Sequence, residues 1–202
     1  MFNFSLKAIA AATVLAVGGI STASADVTLR GASMFDEEHA FTKTLREFER
    51  LVAEKYDGDV EFDLRLNGEL DVESDYVTYL NQGVAVDYTI IAPSNMAVFS
   101  ESIPLMDMPF LFRDLEHWDA VLSSDALKPL EDDLREKAGI VIVGYHGGGV
   151  RNLASAEPIT NMEELAGHRM RVMGAPIQAQ TFSAVGAAPS AIAYDEVYNA
   201  IQ

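Results

Sequence analysis

The chain has 202 residues, 31 of them Asp or Glu against 14 Lys or Arg, with a formal charge of −17 and no cysteine. So acidic a balance argues against nucleic acid and against an anionic membrane surface as partners. The missing thiols exclude disulfide staples and thiolate chemistry, so with 49% hydrophobic and 22% charged residues stability has to come from an ordinary packed core.

Residues 1–25 read as a leader rather than as part of the fold. Lys7 precedes an apolar run from Ala8 to Ile20, and Ala23-Ser24-Ala25 supplies the small residues of a signal-peptidase site. The run is 13 residues long, whereas a bilayer span needs ~20. A membrane-anchoring start is the alternative, and that length disfavours it. No cysteine follows the cleavage site to carry a lipid. The expectation is therefore export to the periplasm and release, without direct membrane insertion. Removal of the leader with its single Lys7 makes the charge one unit more negative. A small anionic ligand would then need a local cationic site to hold it against the overall field.

In the mature chain, "DVTLRGAS" alternates and then dissolves into small residues, as a strand entering a loop. "EEHAFTKTLREFERLVAEKY" spaces Phe41, Leu45, Phe48, Leu51 and Val52 at three and four residues, predicting an amphipathic helix ended by Asp57-Gly58. "DVEFDLRL" puts Val60, Phe62, Leu64 and Leu66 on one face of a strand. A helix is predicted over Val72–Gln82, stopped by Gly83, and then a short apolar strand within "VDYTIIAPSN". This alternation predicts α/β architecture with mostly parallel sheets. "IPLMDMPFLF", broken by Pro104 and Pro109, reads as a buried connection, because proline removes donors that a central strand needs. "LEHWDAVLSSDALKPLEDDLREKAG" is helical with an interruption near Lys128-Pro129, and "IVIVGYHGGGVR" is an apolar strand running into three glycines.

Gly147, Gly148 and Gly149 suit a chain crossing between two bodies, which gives a first lobe over 26–148 and a second over 149–202. The second lobe opens with a capped helix at "TNMEELAG", a strand "HRMRVM" and a helix near "PIQAQTFSAVG". It ends in an amphipathic segment with Tyr194, Val197, Tyr198 and Ile201 on one side.

Strand periodicity places Arg169 and Arg171 on one face of "HRMRVM", opposite His168, Met170 and Val172. A guanidinium is a permanent cation whose planar fork fits a carboxylate with two parallel hydrogen bonds, and Arg151 supplies a third cation beyond the glycines. The same pattern is also that of solvated charges guarding a strand edge. In "FDEEHAF", His39 has only Asp36 at a spacing that shares a helix face, so the cluster reads as an acidic first turn complementing the helix dipole rather than as a metal site. No nucleophile elbow, zinc-helix motif or phosphate loop is present. "GYHGGGV" is similar to an esterase oxyanion loop but lacks the elbow. Tyr194 is either a core aromatic near a helix start or a ring that closes over a ligand.

Four stretches resemble the periplasmic solute-binding subunits of TRAP transporters, of the DctP type. "LNQGVAVDYTIIAPS" is similar to the family's helix end, short strand and ligand loop, and "IPLMDMPFLFRD" to its Pro-Phe-Leu-Phe segment. "ITNMEELAGHRMRV" resembles its helix followed by Gly-x-(Lys/Arg)-x-Arg-Val, and "VGAAPSAIAYDEVYNAIQ" its Gly-Ala-x-Pro…Glu-Val-Tyr-x-Ala-Leu-Gln signature. The resemblance covers essentially the whole mature chain.

It implies a two-lobed α/β fold of the periplasmic-binding-protein type that is not an enzyme. Such a protein captures a small organic acid and delivers it to the membrane permease subunits. Residue by residue, the carboxylate-pairing arginine falls on Arg171 and a second arginine on Arg151. The ring-stacking aromatic falls on Tyr194, and the cleft-lining loop on Ser94 and Asn95. Arg169 matches a position that is not the main ligand. No cofactor and no metal are implied. The family follows Arg-Val with proline, whereas "RVMGAP" delays it. Related chains run past ~300 residues, two lobes of ~150, so an incomplete second lobe is expected here. Two alternatives stay open: a binding protein for an ATP-driven importer, and a secreted hydrolase, which saturable binding of an unchanged ligand would exclude.

Overall fold

The computed structural model of the chain describes residues 27–147 and 150–202. The predicted leader and two of the three glycines expected at a crossover, Gly148 and Gly149, lie outside them. Parallel strands β1 (Val27–Ala32), β2 (Val60–Arg65) and β3 (Tyr88–Thr89) form one sheet in the order β2-β1-β3. The register runs from Val27 opposite Val60 to Ala32 opposite Arg65. Helix α1 (Ala40–Lys55) connects β1 to β2, and α2 (Glu73–Gln82) connects β2 to β3. Helices α3 (Leu115–Leu122) and α4 (Lys128–Ala138) follow, separated by a 3-10 turn at Asp125–Leu127. Pro129 sits in the first turn of α4, where its missing N–H costs nothing. A second parallel sheet pairs β4 (Arg169–Val172) with β5 (Ala188–Ala191), joined by α5 (Pro176–Ala184); the short α6 (Val197–Ile201) ends the chain.

Helix α1 starts three residues later than "EEHAF" suggests. The Asp36 carboxylate accepts from the backbone N–H of Glu38 and His39, and His39 Nδ1 accepts from Phe41 N at 3.1 Å, capping the helix. No acid lies in the first turn; Glu37 and Glu38 instead pair with Arg46 and Lys43. The buried stripe is Thr42, Leu45 and Glu49 rather than one containing Leu51. Glu49 tolerates burial because the Tyr88 hydroxyl donates to it at 2.5 Å and Arg46 pairs with it at 3.0 Å. Helix α2 ends as expected, with Gly83 at φ 66, a left-handed cap that lets its N–H reach back to Leu80.

Two contiguous cores lie around the first sheet. Val77, Met96, Ile103, Met106, Leu127, Leu134, Ala138 and Ile140 form one, and Ala32, Met34, Tyr76 and Val86 the other. The strand expected in "VDYTIIAPSN" pairs only at Tyr88–Thr89 before Pro93 begins a 3-10 turn. "IPLMDMPFLF" is half buried: Ile103 and Met106 enter the core, but Phe110 is 98% exposed on a left-handed backbone, φ 61. "IVIVGY" keeps strand-like alternation, with Ile140 inward and Val143 80% exposed, yet no ladder forms there among the described residues. The helix expected at "TNMEELAG" is one 3-10 turn, Glu163–Leu165, at whose start the Glu164 carboxylate accepts from the Thr160 N–H and hydroxyl. Strand β5 carries Pro189, which argues against a strand in the sequence; at the edge of a two-stranded sheet it is tolerated.

Candidate ligand-binding site

The guanidinium of Arg171 is set by the second sheet. Its neighbours Met170 and Val172 turn into the small core, as their period predicts, while Arg169 on the face of Arg171 is exposed. Past the end of β5, the Ile192 N–H donates to the Val172 carbonyl, and the Ile192 carbonyl accepts from Arg171 Nε at 2.9 Å. That bond orients the plane and commits one donor. Both terminal nitrogens are left to form an end-on fork, the geometry that matches two carboxylate oxygens. Burial pushes the Arg171 pKa down and the cation of Arg151 adds to this, while Glu73 and Tyr194 pull it back up. Arg151 itself is exposed, with one terminal nitrogen 3.9 Å from Met173 Sδ.

Tyr194 opens the 3-10 turn Tyr194–Glu196 and is 54% exposed. Its ring meets Phe35 edge-on at 4.9 Å between centroids, and Phe35 stacks on His39 at 3.8 Å. An aromatic contact thus joins the loop after β1 to the segment after β5. Gly147 approaches the Trp118 indole so closely that a Cβ there would lie 2.4 Å from Cζ2. Packing by itself requires glycine at that position.

Ser94 and Asn95 share a turn but not an environment. Ser94 is buried, and both its N–H and its hydroxyl donate to the carboxylate of Asp107, which itself borders the larger cavity. Asn95 points the other way: its Nδ2 donates to Glu73 Oε2 at 3.5 Å. Glu73, the first residue of α2, is a site residue that the sequence reading missed, since an acid there looks like an ordinary dipole partner. Burial raises its pKa above the usual carboxylate value, and Asn95, Arg171 and Arg151, which favour the charged form, offset only part of that rise.

These groups converge on open space. A cavity of about 840 Å³ is bordered by Glu73, Arg151, Arg171, Tyr194, Phe35 and His39, among others. A smaller one of about 160 Å³ is bordered by Asn95 together with Glu73, Arg171 and Tyr194. Arg171, Arg151, Tyr194 and Asn95 are therefore brought together; Ser94 borders neither cavity. Among the described residues no group of three or more His, Cys, Asp or Glu is arranged to hold a metal ion. The arrangement presents Arg151, Arg171, the Glu73 carboxylate and an aromatic ring to a small polar ligand, while Asp87 and Asp107, which also border the larger cavity, are engaged by Arg30 and Ser94.

The model of the DctP family, bacterial extracellular solute-binding protein, family 7, matches residues 32–202. A solute-binding protein of Sulfitobacter sp. NAS-14.1 is 72% identical over 201 residues, which make up 100% of this chain and 61% of the relative. The crystal structure of a TRAP periplasmic solute-binding protein from Sulfitobacter sp. NAS-14.1, with bound alpha-D-taluronate, superposes with a TM-score of 0.83 at 78% identity, covering 87% of this chain and 57% of that one. One from Roseobacter denitrificans, with bound L-galactonate, gives 0.80 at 29% identity, covering 87% and 58%. The expected α/β fold with parallel sheets is the fold of these proteins, and this chain spans less than two thirds of their length.

Proposed function

The chain belongs to the bacterial extracellular solute-binding proteins of family 7, and from that premise we propose that it captures a small sugar acid through Arg171 for a TRAP transporter. The family is one of solute-binding proteins and not of enzymes, so the hydrolase alternative falls. Arg171 forms a bidentate salt bridge with the ligand carboxylate, Arg151 adds a second cationic contact, and Tyr194 covers the ligand ring. The loaded protein releases the acid to the membrane permease from the periplasm. The leader-like residues 1–25 support that location, and no helix among the described residues is long and apolar enough to cross a membrane.

One observation carries the reading. A fork whose Nε is tied to the Ile192 carbonyl borders the same cavity as Arg151 and Tyr194. The ligands named for the two solved relatives, a hexuronate and a hexonate, each combine one carboxylate with several hydroxyls, which selects sugar acids among organic acids. Domain closure would raise the strength of the pair by removing water from it.

The test is calorimetry on the chain continued past Gln202 with the corresponding C-terminal part of the 72%-identical relative. Saturable binding of a hexuronate recovered unchanged is expected. Arg171→Lys keeps the charge but loses the planar fork, and losing a desolvated charged pair costs on the order of 2–5 kcal/mol, a weakening of about 30-fold or more. Affinity within threefold of wild type would remove Arg171 from the role.

A further inference from the structure

Met173 follows the strand that carries Arg171 and is the methionine that borders both cavities among the described residues. Its sulfur receives a terminal nitrogen of Arg151 at 3.9 Å, the one side-chain hydrogen bond that Arg151 makes among the described residues. A thioether is a weak acceptor, so this contact holds the guanidinium beside the cleft without spending its donors. The backbone here is fixed on both sides. The Met173 N–H donates to Gln178 Oε1 at 3.2 Å, and the Val172 carbonyl accepts from Ile192 N at 3.1 Å.

The described methionines divide by access. Met34, Met96, Met106 and Met170 are buried; Met108 and Met162 are exposed but border neither cavity; Met173 is half-buried and opens onto both. A small two-electron oxidant of the peroxide class therefore reaches the Met173 sulfur through the cleft. With hydrogen peroxide, a sulfur lone pair forms the S–O bond as the O–O bond breaks. The sulfur is oxidised by two electrons and the peroxide reduced. The proton on the transferred oxygen passes to the departing hydroxide, which leaves as water.

The product, methionine sulfoxide, is polar where the thioether was apolar. N–H···O bonds run about 2.7–3.2 Å, so an oxygen on this sulfur comes within reach of a nitrogen 3.9 Å from it. That oxygen competes with a ligand carboxylate for the Arg151 donors. Arg171 is less affected, because its Nε is tied to the Ile192 carbonyl.

We propose that Met173 is an oxidation site that switches the cleft: its sulfoxide draws Arg151 off the ligand carboxylate and lowers affinity, and reduction restores it. The proposal rests on the sugar-acid reading above, in which Arg151 supplies the second cationic contact, and adds a modification that acts on that contact.

The test is calorimetry on the continued chain with galacturonate and taluronate, before and after hydrogen peroxide, with peptide mass mapping of every methionine. Met173, Met108 and Met162 should each gain one oxygen before the buried four do. Affinity should fall about tenfold, the size of one hydrogen bond to a charged group, and a methionine sulfoxide reductase should restore it. Met173→Leu keeps volume and cannot be oxidised, so treatment should change its own affinity less than twofold while Met108 and Met162 are still converted. Arg151→Gln removes the charged competitor, and its own affinity should likewise change less than twofold on treatment; this separates the Arg151 contact from mere bulk in the cleft. The proposal is overturned, and the sugar-acid reading survives, if Met173 stays reduced while Met108 and Met162 convert. The same holds if full conversion changes affinity less than twofold, or if either variant loses as much as wild type. If the untreated protein binds neither acid, the reading and the proposal fall together.

Discussion

Around β1–β3, buried apolar side chains make two contiguous cores, with Ile103, Leu134 and Val77 wholly enclosed. Around β4–β5, the buried apolar residues are Met170, Val172, Ala175 and Ala187, and neither α5 nor α6 has a buried residue. Yet both cations of the candidate site belong to this shallow region. The deep region contributes Glu73, Asn95 and the Phe35 ring. Arg171 is consequently held less by packing than by backbone hydrogen bonding, through the Ile192 carbonyl. Stability and ligand capture should therefore respond to different mutations.

Two cavity substitutions break or confirm that separation. Leu134→Ala in the enclosed core should cost about 2–5 kcal/mol, read by denaturant unfolding. Met170→Ala, on the reverse face of the strand that carries Arg171, has a small core to lose and should cost no more than about 2 kcal/mol, the low end of that range. It should still weaken ligand binding by disturbing the fork. Equal losses of stability in the two variants would mean that the second region is as cooperative as the first.

The two regions touch at Phe35 and Tyr194. Edge-to-face aromatic pairs are worth ~0.5–1.5 kcal/mol beyond area burial, so a double-mutant cycle of Phe35→Leu and Tyr194→Leu should return a coupling of that size. A coupling near zero would make the contact incidental and leave the regions independent.

Within the deep region, Asp133 ties α4 to the segment before it. Lys137, Ser100 and Ser102 hydrogen-bond its carboxylate and hold its pKa down to about 2, from 3.8. A carboxyl lowered on folding contributes its full stability above the unfolded value and loses it as protonation proceeds below. The melting temperature of Asp133→Asn should thus lie below wild type at neutral pH, and the gap should close between 3.8 and about 2. A gap unchanged across that interval would remove the ion pair as its cause.

The legible parts of the molecule are those where one local pattern decides. Period-2 alternation placed Met170 and Val172 inward and Arg171 on the opposite face, and Gly83 marked the end of α2 by its left-handed backbone. Other elements depended on neighbours distant in sequence. The ladder of β3 is two residues long because only Gly31 and Ala32 lie opposite it. "IVIVGY" has the composition of a strand, but composition supplies no hydrogen-bonding partner. Ser94 and Asn95 are adjacent and equally polar, and only the tertiary placement of Asp107 and Glu73 turns one inward and the other toward the cleft. Glu73 was invisible for a related reason: it borders the cleft beside two arginines some eighty and a hundred positions away.

The smallest effect is expected at His39, where the two regions meet. "FDEEHAF" gathers an Asp, two Glu and a His in four consecutive positions, and such a cluster invites a metal. Its side chains are already engaged elsewhere. Asp36 caps the turn, Glu37 and Glu38 pair with Arg46 and Lys43, and His39 Nδ1 accepts the Phe41 N–H while its ring stacks on Phe35. His39→Ala removes a cap and a stacking partner, which should lower stability by about 0.5–1 kcal/mol, the lower part of the capping range. Metal content measured on the purified protein should be the same in wild type and variant. His39 borders the larger cavity, but its Nδ1 and ring face are already engaged by the Phe41 N–H and Phe35, so affinity for a sugar acid should change less than it does in a Tyr194 variant. Stoichiometric zinc or calcium present in wild type and lost in His39→Ala would reverse this assignment and make the junction a metal site.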